Sequence, residues 1–119
     1  MDLKNFSTQK YTVYEDIPRF VESQNFASPF GLQWNTFKKA QLDSYTKTSM
    51  SEDRVRTALQ VPLESIKGLK IIEAGSGAGR FTEILLKYGA IVYSFDLSNA
   101  VSANYENNMP HKNLTIFQA

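Results

Sequence analysis

The sequence contains no cysteine and only one histidine, His111, among its 119 residues. Without cysteine the chain can form neither disulfides nor thiolate metal sites, and one imidazole supplies few nitrogen ligands. We therefore do not expect a metal enzyme. Thirteen basic residues face twelve acidic ones, giving a formal net charge of +1. No strong positive field is available to hold a phosphate backbone, so nucleic acid is not an expected partner.

Long apolar runs are also missing from the sequence. No segment approaches the roughly 20 apolar residues that cross a membrane, and the first ten residues lack the apolar centre of a signal peptide. We expect no membrane partner and a cytoplasmic location. Hydrophobic residues still make up 42% of the chain and aromatic residues 13%, which is enough for a small buried core.

The second half of the chain alternates between strand-like and helix-like patterns. Apolar runs of strand length are separated by segments whose apolar residues recur at helical spacing. This β-α-β-α-β order predicts an α/β fold with a truncated, parallel, Rossmann-like sheet in residues 67–119. The strands are expected at Lys70–Ala74, Ile91–Asp96 and Leu114–Gln118, and the helices at residues 80–88 and 98–105.

Residues 1–66 predict a mainly helical N-terminal extension that acts as a lid. Residues 10–14 are rich in β-formers and predict a short edge strand, whose ladder Pro18 is expected to stop. Ser51 is expected to cap a helix that ends before Pro62. The aromatic segment 28–37, which includes Phe30 and Trp34, is expected to pack its rings on a larger unit.

A glycine loop, GSGAG at residues 75–79, lies between the first strand and the first helix of the second half. Backbone N–H groups at a helix N-terminus can face a nucleotide-like ligand there, although a tight turn without a ligand has the same pattern. Arg80 occupies the position of the third glycine of the dinucleotide fingerprint, which disfavours NAD and FAD. The lysine and hydroxyl of a mononucleotide P-loop are missing as well.

Two acidic residues flank this loop in the predicted fold. Asp96 ends the second strand, where a carboxylate can accept hydrogen bonds from both hydroxyls of a ribose; a helix cap or a solvated strand end would place an acid there too. Glu73 ends the first strand, where it would favour a cationic amino group. A ligand that has a cationic amino group and a ribose, and that lies against a glycine loop, fits S-adenosylmethionine.

Both motifs have counterparts in a known family. Residues 71–81 (IIEAGSGAGRF) resemble motif I of class I S-adenosylmethionine-dependent methyltransferases, and residues 94–98 (SFDLS) resemble their motif II. The resemblance implies that the motif I acid serves the methionine amino group, that the glycines make room for the cofactor, that the motif II acid binds the ribose and that the next residue packs on the adenine. The implied cofactor-binding residues are Glu73, Gly75, Ser76, Gly77, Gly79, Asp96 and Leu97.

The resemblance also sets an expectation for the reaction. Residues 30–37, followed by residues 41–44, are similar to the lead-in of a group of bacterial methyltransferases that often modify small molecules or sugars, so a small-molecule methyl acceptor is expected. The family's sheet has seven strands, and we expect this chain to stop after the third, before the acceptor site. No catalytic residue is therefore assigned. We also expect self-association through the sheet edge at Lys70–Ala74.

Two other functions are alternatives to methyl transfer. The chain could serve as an inactive cofactor-binding or interaction module that needs a partner, which the missing strands favour. A nicotinamide-dependent oxidoreductase is a third alternative, and both Arg80 and Glu73 oppose it.

Overall fold

The computed structural model describes residues 10–22 and 36–119. In this part of the chain, five strands form one mixed, mostly parallel sheet with the order β1-β2-β5-β4-β3. The architecture is α/β, as predicted, and is compatible with a Rossmann-like fold. The strands are β1 (Thr12–Tyr14), β2 (Ile17–Arg19), β3 (Lys70–Ala74), β4 (Ile91–Asp96) and β5 (Leu114–Gln118). The helices are α1 (Asp43–Thr46), α2 (Met50–Ala58), α3 (Arg80–Lys87) and α4 (Val101–Asn108), with a 3-10 turn at Leu63–Ser65.

The three strands of the second half are parallel and have the predicted bounds. Ile71 pairs with Val92, and Ser94 pairs with Ile116. Short runs of β-branched residues between glycine and polar turns define these strands clearly in the sequence. Because the strands are parallel, their carboxyl ends meet at one edge of the sheet.

The first two strands form a hairpin that joins the sheet beside β5. The expectation that Pro18 stops the ladder is wrong, since Pro18 lies inside β2 and faces Val13 of β1. In an antiparallel hairpin, hydrogen-bonded and non-hydrogen-bonded pairs alternate outwards from the turn. Tyr14 and Ile17 form the hydrogen-bonded pair that closes the turn, so Val13 and Pro18 form a non-hydrogen-bonded pair, which needs no N–H from proline. On its other side, β2 pairs with β5 in parallel through Arg19 and Gln118.

The two helices that follow β3 and β4 pack on one face of the sheet. Ile84 and Leu85 of α3 and Val101 of α4 are buried in the same cluster as Val92 and Ile116. Both helices were predicted, and α4 continues three residues further than expected. Their packing places the glycine loop at the carboxyl end of the sheet, directly before α3.

The start of α2 differs from the expected cap. The carboxylate of Asp43, not the side chain of Ser51, accepts hydrogen bonds from the N–H groups of Ser51 and Glu52 at 2.9 and 3.0 Å. Burial acts to raise the pKa of Asp43, but these two donors, together with the Ser51 hydroxyl and the charge of Arg80, hold that pKa below its ordinary value. The hydroxyl of Ser51 instead donates to the carbonyl of Gln41.

A mainly helical N-terminal extension is not evident in the described residues, because the hairpin formed by residues 12–19 is part of the sheet. The division between residues 66 and 67 stays a prediction. Phe30 and Trp34, expected to act as a lid, lie outside the described residues. Among the helices of residues 10–22 and 36–119, none is long and apolar enough to cross a membrane.

Candidate functional site

The glycine loop turns the chain from β3 into α3 at the carboxyl edge of the sheet. The N–H groups of Gly75 and Ser76 both donate to the carbonyl of Phe95 in β4, at 2.9 and 3.0 Å. These bonds hold the loop over the end of β4. No side chain of the described residues caps α3, whose first residue is Arg80, so the helix presents its N-terminal backbone at the end of the loop.

Gly79 is the position where the loop approaches another element most closely. A Cβ atom added there would lie 2.2 Å from Oδ1 of Asn104 and 2.4 Å from Nδ2 of Asn108. The residue also has φ of 91°, a conformation that residues with side chains rarely adopt. A Cβ on Gly77, in contrast, would meet no atom of the described residues within 4 Å. These residues thus leave the outer part of the loop uncovered, while Gly79 is packed against α4.

Asp96 joins the two predicted motifs. One carboxylate oxygen accepts the N–H of Gly77 at 2.9 Å, and the other accepts the N–H of Ser98 at 2.8 Å. The acid therefore closes the glycine loop as well as capping the turn that follows β4. A carboxylate has about four acceptor positions, so each oxygen keeps capacity for a ligand hydroxyl.

Glu73 is partly buried near the carboxyl end of β3. Its Oε1 accepts hydrogen bonds from the hydroxyls of Thr82 in α3 and Ser94 in β4. Burial raises the pKa of Glu73; the two hydroxyl donors oppose this shift, and the nearby charge of Asp96 adds to it. This acid is costly to keep ionised in the absence of a cation.

Three buried polar atoms beside the loop have no hydrogen-bond partner among the described residues. They are Oε2 of Glu73, the hydroxyl oxygen of Ser76, a residue that is only 4% exposed, and Oδ1 of Asn107 in α4. Buried polar atoms in native proteins nearly always have a partner. An ammonium group, which has three donors and one positive charge, would satisfy Glu73 and counter its burial.

Leu97 follows Asp96 and is 69% exposed. Its backbone is fixed although its side chain is free, because Nε2 of Gln118 donates to its carbonyl at 2.9 Å. An exposed leucine on an anchored backbone is suited to packing on a flat ring. The structure thus gathers all seven predicted residues around the carboxyl ends of β3 and β4.

Sequence reasoning missed the asparagines of α4 that support the loop. Asn107 donates to the carbonyl of Ala78 at 2.9 Å, and Asn108 donates to that of Gly79 at 3.2 Å. Asn104, which is fully buried, donates to the hydroxyl of Thr82. These three asparagines lie at i, i+3 and i+4, so they share one face of α4. Asparagine is a poor helix former, so its recurrence at this spacing was the signal in the sequence that one face of α4 has a polar role.

Sequence comparison with protein-family profiles and with curated proteins gives no match for this chain.

Proposed function

We propose that the chain binds S-adenosylmethionine at the carboxyl ends of β3 and β4, in a Rossmann-like sheet, and that this site serves methyl transfer to a small-molecule acceptor. The observation that carries the proposal is Oε2 of Glu73, which has no partner within residues 10–22 and 36–119 and lies beside a glycine loop that is tied to Asp96. One acid is positioned for a cation and the other for hydroxyl groups.

The residues have separate roles in this proposal. Glu73 binds the amino group of the methionine part, and the open loop around Gly77 leaves space for the backbone of the ligand. Asp96 accepts hydrogen bonds from the ribose, while Leu97 packs on the adenine. The sulfonium supplies an already activated methyl group, so the protein has mainly to hold it in line with the acceptor.

Calorimetric titration with S-adenosylhomocysteine tests the proposal. We expect saturable binding by the wild type and none with NAD. Asp96→Ala removes the ribose acceptor, and loss of charge-assisted hydrogen bonds of this kind weakens binding about 10- to 100-fold.

Glu64→Gln is the matched control, because this exposed carboxylate pairs with Arg56 before the amino end of β3. It should bind S-adenosylhomocysteine as the wild type does. A folded wild type that does not bind, or that binds NAD equally well, would contradict the proposal.

A second candidate is a module that functions through a partner strand, and the position of β3 favours it. β3 is at an edge of the sheet in the described residues, and its Ile72 is 68% exposed. Ile71 and Glu73 face β4 in the parallel ladder, so the backbone groups of the alternate residues point outward. A second copy could pair antiparallel about Ile72, which would set Lys70 opposite Ala74 and bring no like charges together.

Sedimentation at high protein concentration tests this self-association. Ile72→Lys should abolish it, because charge on an edge strand blocks pairing. Val13→Lys is the control, since Val13 is 60% exposed on the opposite edge strand. A wild type that stays monomeric throughout would rule out this candidate.

A further inference from the structure

Arg19, the last residue of β2, is a completely buried cation, with 0% of its side chain exposed. Burial lowers the pKa of Arg19, while the charge of Glu15 acts in the opposite direction at 3.2 Å. A buried guanidinium is unfavourable unless its N–H groups find acceptors. The acceptors of Arg19 therefore show which parts of the molecule its position depends on.

One set of contacts fixes Arg19 in its own hairpin. Its Nε and Nη2 atoms donate to the carbonyl of Tyr14 at 3.2 and 3.1 Å. The guanidinium also lies 5.0 Å from the centre of the Tyr14 ring. These contacts hold the side chain across the hairpin and direct Nη1 toward β5.

The other contacts reach the segment that follows β4, Gln118 in β5 and the hydroxyl of Ser102 in α4. Nη1 of Arg19 donates to Oδ1 of Asn99 at 2.6 Å and to Oε1 of Gln118 at 2.9 Å. Gln118 in turn donates through Nε2 to the carbonyl of Leu97 at 2.9 Å. Arg19 thus contacts residue 99 directly and residue 97 through one side chain.

We infer that Arg19 is a positioning residue for the cofactor site, holding residues 97–99 so that Asp96 and Leu97 meet the adenosine part of the ligand. This inference rests on the proposed function. It also gives the hairpin a role in the site. β1 and β2 carry no predicted ligand contact. They supply Arg19, whose hydrogen bonds fix the loop after β4.

The planar guanidinium is essential to this role. Its N–H groups point in fixed, divergent directions and can bind Tyr14, Asn99 and Gln118 together, whereas a lysine ammonium is a single point charge with three donors. Arg19→Lys therefore keeps the positive charge but loses the simultaneous hydrogen bonds to Tyr14, Asn99 and Gln118. Arg56→Lys is the matched control, since Arg56 is an exposed arginine on α2.

The test combines S-adenosylhomocysteine titration with amide hydrogen exchange. In Arg19→Lys we expect binding at least about tenfold weaker, as for loss of a buried hydrogen bond to a charged group. The amides of Ser98 and Ala100, which bond to Asp96 and Ser98, should exchange faster, while that of Ile84 in α3 should not change. Arg56→Lys should match the wild type in both measurements.

Gln118→Glu provides a second variant with nearly the same shape. It keeps an acceptor for Arg19 but replaces the donor to the Leu97 carbonyl with an oxygen. We expect weaker S-adenosylhomocysteine binding and faster exchange at Ser98, even if Arg19→Lys fails to fold.

The outcomes separate the two hypotheses. Wild-type binding that is unchanged in Arg19→Lys and Gln118→Glu would overturn the positioning role and leave the proposed function intact. A wild type that does not bind contradicts the proposed function, and exchange at Ser98 and Ala100 then decides alone whether Arg19 holds the loop. Unchanged exchange at both amides would overturn it.

Discussion

Two polar clusters in this molecule contain similar groups but are organised in opposite ways. The buried cluster, under the glycine loop, consists of Glu73, Thr82, Ser94 and Asn104. The surface cluster, between α2, α3 and the 3-10 turn, consists of Glu52, Arg56, Glu64 and Lys87. In the surface cluster every carboxylate has a cation: Arg56 contacts Glu64 at 2.7 Å and Lys87 contacts Glu52 at 2.9 Å. The buried cluster has one carboxylate, no cation, and an oxygen without a partner among the described residues.

The pKa shifts of the two clusters have opposite signs. Hydrogen bonds from Lys87 and Arg56 hold the pKa values of Glu52 and Glu64 below their ordinary range. Burial moves the pKa of Glu73 in the other direction. The surface cluster is complete within the protein, whereas the buried cluster lacks a positive charge. This difference is the physical reason for placing a ligand at the buried cluster.

The largest effect is expected where the buried cluster meets the loop, at Gly79. Gly79→Ala drives a Cβ atom into the side chain of Asn104 and imposes an unfavourable φ. Overpacking and backbone strain together should cost about 2–5 kcal/mol of unfolding free energy, measured by urea denaturation. Gly68→Ala is the control, because Gly68 has φ of 77° but nothing within 4 Å of an added Cβ. Equal losses in both variants would show that the contact with Asn104 is unimportant.

A smaller effect, with a defined pH dependence, is expected at Glu73. Its raised pKa means that the folded protein binds this proton more tightly than the unfolded chain does, so ionisation costs stability at neutral pH. That cost disappears as the pH falls through the raised pKa toward the ordinary value of about 4.3. Glu73→Gln lacks this titration, so we expect it to be the more stable protein at pH 7 and its advantage to shrink on acidification.

Glu64→Gln should show the opposite sign in the same denaturation series. The pKa of Glu64 is lowered by Arg56, so its carboxylate stabilises the fold above the ordinary pKa and loses this effect as the pH falls. The wild type should therefore be the more stable protein at neutral pH. An advantage of Glu73→Gln that grows on acidification would contradict the comparison.

The smallest effect is expected for the surface cluster as a whole. Arg56→Gln removes the cation that contacts Glu64, Glu52 and the Tyr88 hydroxyl. Exposed ion pairs of this kind contribute little and are screened by salt. The melting temperature should be nearly the same as that of the wild type at low salt. It should be the same in about 1 M salt, where the screening length falls to about 3 Å. A melting temperature that is several degrees below that of the wild type, and stays so at high salt, would contradict the view that these ion pairs are exposed to solvent and contribute little.

The sequence predicted the parallel half of the fold because its signals are local. Alternation of short apolar runs with helical periodicity defined β3, β4 and β5 with their observed bounds. The order of Glu73, the loop and Asp96 along those strands predicted a site at their carboxyl ends. The hairpin was predicted only in part: its first strand was expected, but Pro18 was expected to end the ladder. The rule against proline in strands does not distinguish hydrogen-bonded from non-hydrogen-bonded pairs, and Pro18 lies in a non-hydrogen-bonded pair.

The supporting residues could not be predicted from local patterns. The hydrogen bond between Arg19 and Asn99 spans 80 positions in the chain, and that between Asn107 and Ala78 spans 29. Such contacts depend on how elements pack, and neither residue type nor spacing specifies the partner. Likewise, the positions of the Thr82 and Ser94 hydroxyls are needed to see that Oε2 of Glu73 has no partner in the described part of the chain.

Mapping S-adenosylhomocysteine onto backbone amide resonances tests the central claim most directly. The account predicts that saturation shifts the amides of Gly77 and Ser98, which donate to Asp96, and that of Leu97, while those of Arg56 and Glu64 stay in place. Saturable binding whose shifts fall away from the carboxyl ends of β3 and β4, or no shifts at any residue of the folded chain, would contradict it.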